Sequence, residues 1–229
     1  MDSTVCAYLA ARAIGPKNVV ALIMPYKDTF RGDVQDAKDT ARRLKLKSVV
    51  IDISPMVDAY YTKHATDNRI LKGNKMARER MSILYDQSER EKALVLGTSN
   101  KTELLLGYGT IHGDMACGIN PMGDLYKTQI RQLARHLKVP DKILRKKPTA
   151  GLWTGQTDEG ELGISYVKID KILYQLVDSR KTKKEVISEG FPKQDVEKII
   201  GLLKGSEFKR HLPPIPKISA RTVGHDFLY

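Results

Sequence analysis

Four stretches of this sequence carry side chains suited to chemistry on a charged substrate. Asp2-Ser3 stands at the start of an apolar helical repeat. A carboxylate and a hydroxyl there suit a plain helix cap. They equally suit a phosphate cradle, in which helix amides and Ser3 hold phosphate oxygens while Asp2 helps to hold a cation. Gly97-Thr98-Ser99-Asn100-Lys101-Thr102-Glu103-Leu104 follows a short apolar run, the layout of an anion-binding corner between a strand and a short helix. Glu103 is then either a first-turn carboxylate or a magnesium ligand. Gly107-Tyr108-Gly109-Thr110-Ile111-His112-Gly113-Asp114 places three glycines among eight residues, which suits a backbone lining a ligand better than a core segment. His112 has no second histidine at ligand spacing and reads as a loop residue rather than a metal ligand. Residues 148–163 form a long stretch rich in Gly, Thr and acids around the single tryptophan, Trp153; such a stretch is a binding loop, a lid or a flexible connection.

These residues need elements to hold them. Apolar positions Val5, Cys6, Leu9, Ala10 and Ala13 recur at helical spacing, with Asp2 or Ser3 as the cap and Gly15-Pro16 as the stop. Residues 19–24 read as a buried strand, 33–44 as an amphipathic helix, 48–53 as a second buried strand, 75–88 as a helix and 93–97 as a third strand. Helices alternating with short, continuously apolar strands predict a parallel sheet covered on both faces. Beyond Gly97 the chain turns rich in Gly, Asp and Thr, then helical over 127–137, and two or three helices follow between 166 and 204. Residues 211–229 carry several prolines and read as an arm. No repeat or low-complexity segment interrupts this order. In a doubly wound sheet a strand precedes each helix, yet here a helix comes first, as though the chain starts inside its first βα unit.

With 229 residues the chain is long enough for a sizeable core, and its 41% hydrophobic and 29% charged content excludes wholesale disorder, collagen and coiled coil. No apolar run approaches the roughly 18–20 residues of a membrane-spanning helix. Two cysteines, Cys6 and Cys117, are too few for a disulfide framework and favour a reducing compartment. The apolar stretch at 5–11 lacks the positive charge that precedes a signal sequence, so a cytoplasmic protein is expected. A net charge of +12 suits a solvated basic face, nucleic acid or an anionic small substrate. The basic clusters at 42–47, 145–147 and 180–184 lack aromatic recognition motifs and zinc-finger spacing, so nucleic acid is not the expected partner.

Taken in order, the motifs are more specific than any one of them. Met1-Asp2-Ser3-Thr4-Val5, Met24-Pro25, Gly73-Asn74-Lys75-Met76-Ala77-Arg78-Glu79-Arg80-Met81 and Gly97-Thr98-Ser99-Asn100-Lys101-Thr102-Glu103 come first. Gly123-Asp124-Leu125-Tyr126-Lys127-Thr128-Gln129, Pro148-Thr149-Ala150-Gly151-Leu152-Trp153 and Gly155-Gln156-Thr157-Asp158-Glu159 follow. Over nearly its whole length the chain resembles the ammonia-dependent NAD synthetases of the N-type ATP pyrophosphatase superfamily. The resemblance implies an adenine nucleotide alpha hydrolase-like fold, a doubly wound parallel sheet with helices on both faces. It implies one synthetase domain: a nucleotide-binding core to about residue 165, a helical part over about 166–210 and the tail. It also implies amidation of deamido-NAD by ammonia, driven by ATP through an adenylated carboxylate, with release of AMP and pyrophosphate.

By the same resemblance, Asp2 and Glu103 are expected to bind magnesium, and Ser3, Met24, Thr98, Lys127 and Thr149 to contact ATP. Asn74, Arg78, Asp114, Phe208 and Lys209 are expected to hold deamido-NAD, in a homodimer that uses the helix around residues 78–85. Many relatives have Lys at the position of Ile111, Asp at Gly118 and His at Phe208, so these are departures. Met1 falls inside the family's Ser-Gly-Gly-x-Asp-Ser phosphate loop. The expectation is therefore of a chain shortened within that loop, lacking the first strand and poorly active if it begins there. A glutaminase domain does not fit in this length, so free ammonia or a separate donor is implied. A non-catalytic nucleotide-binding remnant, or another ATP pyrophosphatase acting on a nucleobase or tRNA, is the alternative.

Overall fold

The structure, a computed structural model, describes residues 1–27, 31–149, 151–153 and 155–223. Parts of the 148–163 loop (Ala150, Thr154) and the end of the tail (224–229) lie outside them. Helix α1 (Asp2–Ile14) buries Val5 and Cys6, and Gly15, at φ 83°, ends it where a side chain would be strained. Strand β1 (Val20–Ile23) crosses over through α2 (Arg31–Leu44) to β2 (Lys47–Val50). The two strands pair in parallel, from Val20 opposite Lys47 to Ile23 opposite Val50. The ladder continues past them through Ile51 N–H to Ile23 O at 2.9 Å and Ile53 N–H to Pro25 O at 3.0 Å.

The parallel α/β class stands, with two corrections. The second strand is not buried: Lys47 and Val50 are exposed, because β2 has a partner on one side only among the described residues. Residues 93–97 run extended but form no full strand. They meet 118–119 through one parallel bridge, Leu96 to Ile119, with Gly97 N–H to Ile119 O at 2.8 Å and Gly118 N–H to Val95 O at 2.9 Å.

Helix α3 (Ser54–Lys63) was not expected. The Asp52 carboxylate accepts from the Ser54 amide and hydroxyl, at 2.8 and 2.5 Å, which turns the chain into Ser54-Pro55. Helix α4 (Arg69–Glu91) is longer at both ends than the apolar spacing predicts, since the Asn68 side chain caps it from the amides of Ile70 and Leu71. After α5 (Lys101–Leu106), α6 (Lys127–His136) and α7 (Asp141–Leu144), a short helix α8 (Asp158–Leu162) stands inside the expected loop. Helix α9 (Tyr166–Leu173) runs into a π-helical turn (Tyr174–Asp178), followed by α10 (Lys183–Ser188) and α11 (Lys193–Gly205).

Two apolar clusters fix the helices around the site. One joins Val5 and Cys6 of α1 to Met122, to Ile130 and Ala134 of α6, and to Val139 and Ile143. The other joins Leu106 of α5, Leu162 of α8, Ile169, Ile172 and Leu173 of α9, Val186 of α10 and Val196 and Ile199 of α11. Each fully buried aliphatic side chain of that kind contributes about 1.5–3 kcal/mol. The starts of α1, α5 and α6 are thereby brought to one place.

Candidate active site

Three helix starts meet in a buried knot of charge. Asn100 precedes α5 and is fully buried; its side-chain oxygen accepts from the Glu103 amide at 3.0 Å, and the Asn100 amide approaches Glu103 Oε2 at 3.3 Å. This reciprocal capping box turns Glu103 back over the start of the helix. Asn100 Nδ2 donates to Asp2 Oδ1 at 3.1 Å. Lys127, the first residue of α6, is 2% exposed and donates to Asp2 Oδ2 at 2.8 Å and to Glu103 Oε1 at 2.9 Å. Its ammonium also lies 5.1 Å from the centre of the Tyr166 ring. Behind it, Thr102 Oγ1 accepts from the Lys127 amide at 3.0 Å and donates to buried Asp170 at 2.6 Å, and Asp170 accepts from the Thr128 amide at 2.8 Å.

Two carboxylates thus share one ammonium, and their titrations are coupled. Burial raises the Glu103 carboxyl to about 7; Lys127 opposes the rise and the Asp2 charge adds to it. Burial would raise Asp2 as well, but the Lys127 ammonium and hydrogen bonds from Lys127 and Asn100 hold it below the usual carboxylate range. Burial would lower Lys127, yet its two carboxylate partners keep it raised, so it is charged at neutral pH.

The donor set fits magnesium. Carboxylate oxygens from two helices converge on one point, now held by the Lys127 ammonium. Magnesium binds through one or two carboxylates completed by water and phosphate oxygens. Among the described residues no group of three or more acidic, His or Cys side chains forms a metal cage.

Among the described residues, no hydrogen bond joins the other expected nucleotide residues to this knot. Ser3 is exposed, and neither it nor Asp2 caps α1: Met1 occupies the cap position, and the Asp2 carboxylate is turned to Asn100 and Lys127. Thr98 is half-buried just after Gly97. Met24 belongs to a separate apolar cluster with Ile53, Val57, Met76 and Leu152. Thr149 is exposed and its hydroxyl accepts from the Gly151 amide at 3.0 Å. The segment beyond Thr149 lies on α4 at Gly73, where a Cβ would come within 2.8 Å of Leu152.

Four of the residues expected to hold deamido-NAD gather on the 107–114 loop. Asn74 accepts from the Thr110 hydroxyl at 2.8 Å, and Asp114 from the Thr110 amide at 2.8 Å. Arg78 donates to Ile111 O at 3.3 Å. Lys209 donates to Gly107 O at 2.8 Å and Gly109 O at 2.9 Å. Burial lowers the Lys209 amine, with Asp114 opposing. Phe208 is 59% exposed, its ring presented to solvent.

Several residues escaped the sequence reading. Asn100 links Asp2 to Glu103, and its N-x-x-E spacing before an apolar run was a visible capping signal. Arg80 donates to Met24 O at 3.0 Å and feels the Asp114 charge, joining the two halves of the site. Asp158 accepts from the hydroxyls of Tyr166 at 3.1 Å and Tyr108 at 3.2 Å. No spacing rule brings those three together; the apolar cluster shared by α5, α8 and α9, against which Tyr108 packs, does.

The family model described as NAD synthase matches residues 1–213. The chain is 48% identical over 229 residues to an NH(3)-dependent NAD(+) synthetase of Trichlorobacter lovleyi, covering all of this chain and 84% of that one. It is 49% identical over 218 residues to that of Fusobacterium nucleatum, covering 95% of this chain and 84% of the relative. Among solved structures, NMN synthetase from Francisella tularensis superposes with a TM-score of 0.83 at 34% identity, covering 95% of this chain and 85% of that one. The NH3-dependent NAD synthetase from Campylobacter jejuni, in complex with nitrate, gives 0.79 at 34% identity, with 94% and 85% covered.

Proposed function

The chain belongs to the NAD synthase family, and we propose that its Asp2–Lys127–Glu103 knot is where it carries out that family's ATP-dependent amidation of deamido-NAD. The protein is a ligase of NAD biosynthesis that uses deamido-NAD, ATP and ammonia. The chemical need is direct. A carboxylate repels a nucleophile and has no workable leaving group. Its oxygen attacks the α-phosphorus of ATP, the bond to the β-phosphate breaks, and pyrophosphate departs. Ammonia then adds its lone pair to the acyl carbon, AMP leaves with the bonding pair, and the spare proton goes to solvent.

The chain's own residues serve this by positioning and by charge. Lys127, charged and held by two carboxylates, is the cation placed to meet phosphate oxygens as ATP arrives. Asp2 and Glu103 are the residues that would hold magnesium, which when bound neutralises pyrophosphate charge as it develops. Ser3, Thr98 and Thr149 supply hydroxyls for the phosphates, and Met24 an apolar contact for adenine. Asn74, Arg78, Asp114 and Lys209 surround the 107–114 loop as the deamido-NAD set, with the Phe208 ring beside them.

A homodimer is supported by the exposed apolar residues Ile70, Leu71 and Tyr85 of α4 and by nearby-in-sequence Leu94. A cytoplasmic location is supported by the two free thiols, Cys6 and Cys117. Among the described residues no helix is long and apolar enough to cross a membrane.

The observation that carries the site assignment is the convergence of Asp2 and Glu103 on Lys127 Nζ. The experiment is ATP–pyrophosphate exchange with magnesium and no ammonium, with deamido-NAD or nicotinic acid mononucleotide as acceptor. Exchange is expected with deamido-NAD and is expected to fall about 10²-fold in Glu103→Gln. Exchange independent of any acceptor, or undiminished in Glu103→Gln, contradicts the assignment.

A further inference from the structure

The nucleotide knot and the 107–114 loop are separate contact sets, yet one buried carboxylate touches the supports of both. Asp158, at the start of α8, is 3% exposed. One of its oxygens accepts from the Tyr166 hydroxyl at 3.1 Å, and the Tyr166 ring is the face against which the Lys127 ammonium rests, 5.1 Å from its centre. Its other oxygen accepts from the Tyr108 hydroxyl at 3.2 Å. Tyr108 stands between Gly107 and Gly109, whose carbonyls hold Lys209. The Tyr108 hydroxyl has a single proton, which it shares between Asp158 and the nearer Glu161; Glu161 also accepts from Gln156 Nε2 at 3.2 Å, while Gln156 Oε1 accepts from the Leu152 amide at 2.9 Å. The segment carrying Thr149 to Gly163 is therefore tied to both halves through two tyrosine hydroxyls.

We propose that Asp158 is a positioning residue for both substrates: through Tyr166 it sets Lys127 for ATP, and through Tyr108 it sets the Gly107–Gly109 carbonyls and Lys209 for deamido-NAD. A buried carboxylate without hydrogen bonds is costly, so its two acceptor oxygens fix the orientation of both phenols. Among the described residues the two hydroxyls bond to Asp158 and Glu161 and not to Asp2 or Glu103, so each is removable without dismantling the carboxylate pair. The idea rests on the proposed assignment of Lys127 to ATP and Lys209 to deamido-NAD.

The test compares Tyr166→Phe, Tyr108→Phe, Asp158→Asn and Asp158→Glu with wild type. It uses steady-state kinetics in each substrate, and calorimetric titration with ATP or deamido-NAD alone. A hydrogen bond to a charged group corresponds to about a tenfold effect. Tyr166→Phe is expected to weaken ATP binding and lower kcat about tenfold, leaving the KM for deamido-NAD within about twofold. Tyr108→Phe is expected to raise the KM for deamido-NAD about tenfold and leave ATP binding unchanged. Asp158→Asn is expected to show both defects, the deamido-NAD one smaller than in Tyr108→Phe because Glu161 still holds that hydroxyl, and combining it with Tyr166→Phe is expected to add nothing on the ATP side. Asp158→Glu is expected to restore at least one of the two.

Folded variants whose binding and kinetic constants match wild type overturn the proposal. So do uniform losses of both affinities in every variant, which indicate general loosening. Wild type that binds both substrates but makes no NAD overturns the functional reading and leaves the binding comparison decisive for Asp158. Should Asp158→Asn not fold, the opposite selectivities of the two Phe variants decide the matter alone.

Discussion

The two halves of the site hold their charges in opposite ways. In the nucleotide half, buried Lys127 and the partly buried Asp2 and Glu103 answer one another, with Asn100 locking the acids in place. In the proposed dinucleotide half, no carboxylate among the described residues is hydrogen-bonded to Arg78 or Lys209, which rest on backbone carbonyls of the 107–114 loop. A buried ion pair broken by removing one member leaves a charge in low dielectric, which is expensive. A cation resting on carbonyls is exchanged for a ligand carboxylate or phosphate at little cost. The first half is therefore part of the fold's stability, and the second is a surface waiting for a substrate.

Lys127→Met strikes that contrast hardest. It strands two partly buried carboxylates and is expected to cost about 3 kcal/mol in urea unfolding, the lower end of the range for a fully buried pair, with loss of NAD formation in the same protein. A stability within 1 kcal/mol of wild type, on the scale of an ordinary surface change, contradicts the buried knot.

Gly107→Ala tests the joint between the halves. Gly107 has φ 65°, and an added Cβ would fall 2.1 Å from Ser206 Cβ. Left-handed strain and overpacking together are expected to cost about 2–4 kcal/mol, read from the denaturant midpoint.

Glu103→Gln is expected to lower kcat about 10²-fold, the scale of losing one preorganised electrostatic group. It also sharpens the pH account. The Glu103 carboxyl moves from its usual 4.5 to about 7 on folding. Between those values the folded chain holds a proton that the unfolded chain does not, so its stability falls as pH rises from about 4.5 to 7 and is level above. Asp2 acts in the opposite sense, losing its contribution as pH drops below its ordinary 3.8. Unfolding midpoints of the metal-free protein between pH 5 and 7.5 should decline in wild type and be flatter in Glu103→Gln. Magnesium has to displace the same proton, so its affinity should weaken below about pH 7.

Lys209→Ala is the mildest. Deamido-NAD binding should weaken about tenfold, with ATP binding and the unfolding midpoint close to wild type. An equal loss of ATP affinity would erase the division between the halves.

The sequence made the class of fold and much of the nucleotide half legible, for physical reasons. Acids and lysines at helix starts are local signals, and Asp2, Glu103 and Lys127 each stand in the first turn of a helix. Their meeting point was not local: it depends on Val5, Met122 and Ile130 packing α1 against α6. Residues 93–97 misled because an apolar run describes burial, and Val95 is buried without a full strand ladder. Residues 48–53 misled in the other direction, since apolar content does not say which strand lies at an edge. Helix α3 was hidden behind Ser54-Pro55, whose helix-starting role depends on the Asp52 carboxylate. Asp158 was visible only as one acid in a loop, because its meaning lies in two tyrosine hydroxyls 50 and 8 residues away.

The most direct test of the central claim, nucleotidyl activation of the pyridine carboxylate, is an oxygen-tracing measurement. Deamido-NAD carrying ¹⁸O in that carboxylate is turned over with ATP, magnesium and ammonium. The account predicts one labelled oxygen in the phosphate of AMP and none in pyrophosphate, with no labelled AMP formed by Glu103→Gln at wild-type rates. Label appearing in pyrophosphate or lost to water while AMP stays unlabelled would contradict it.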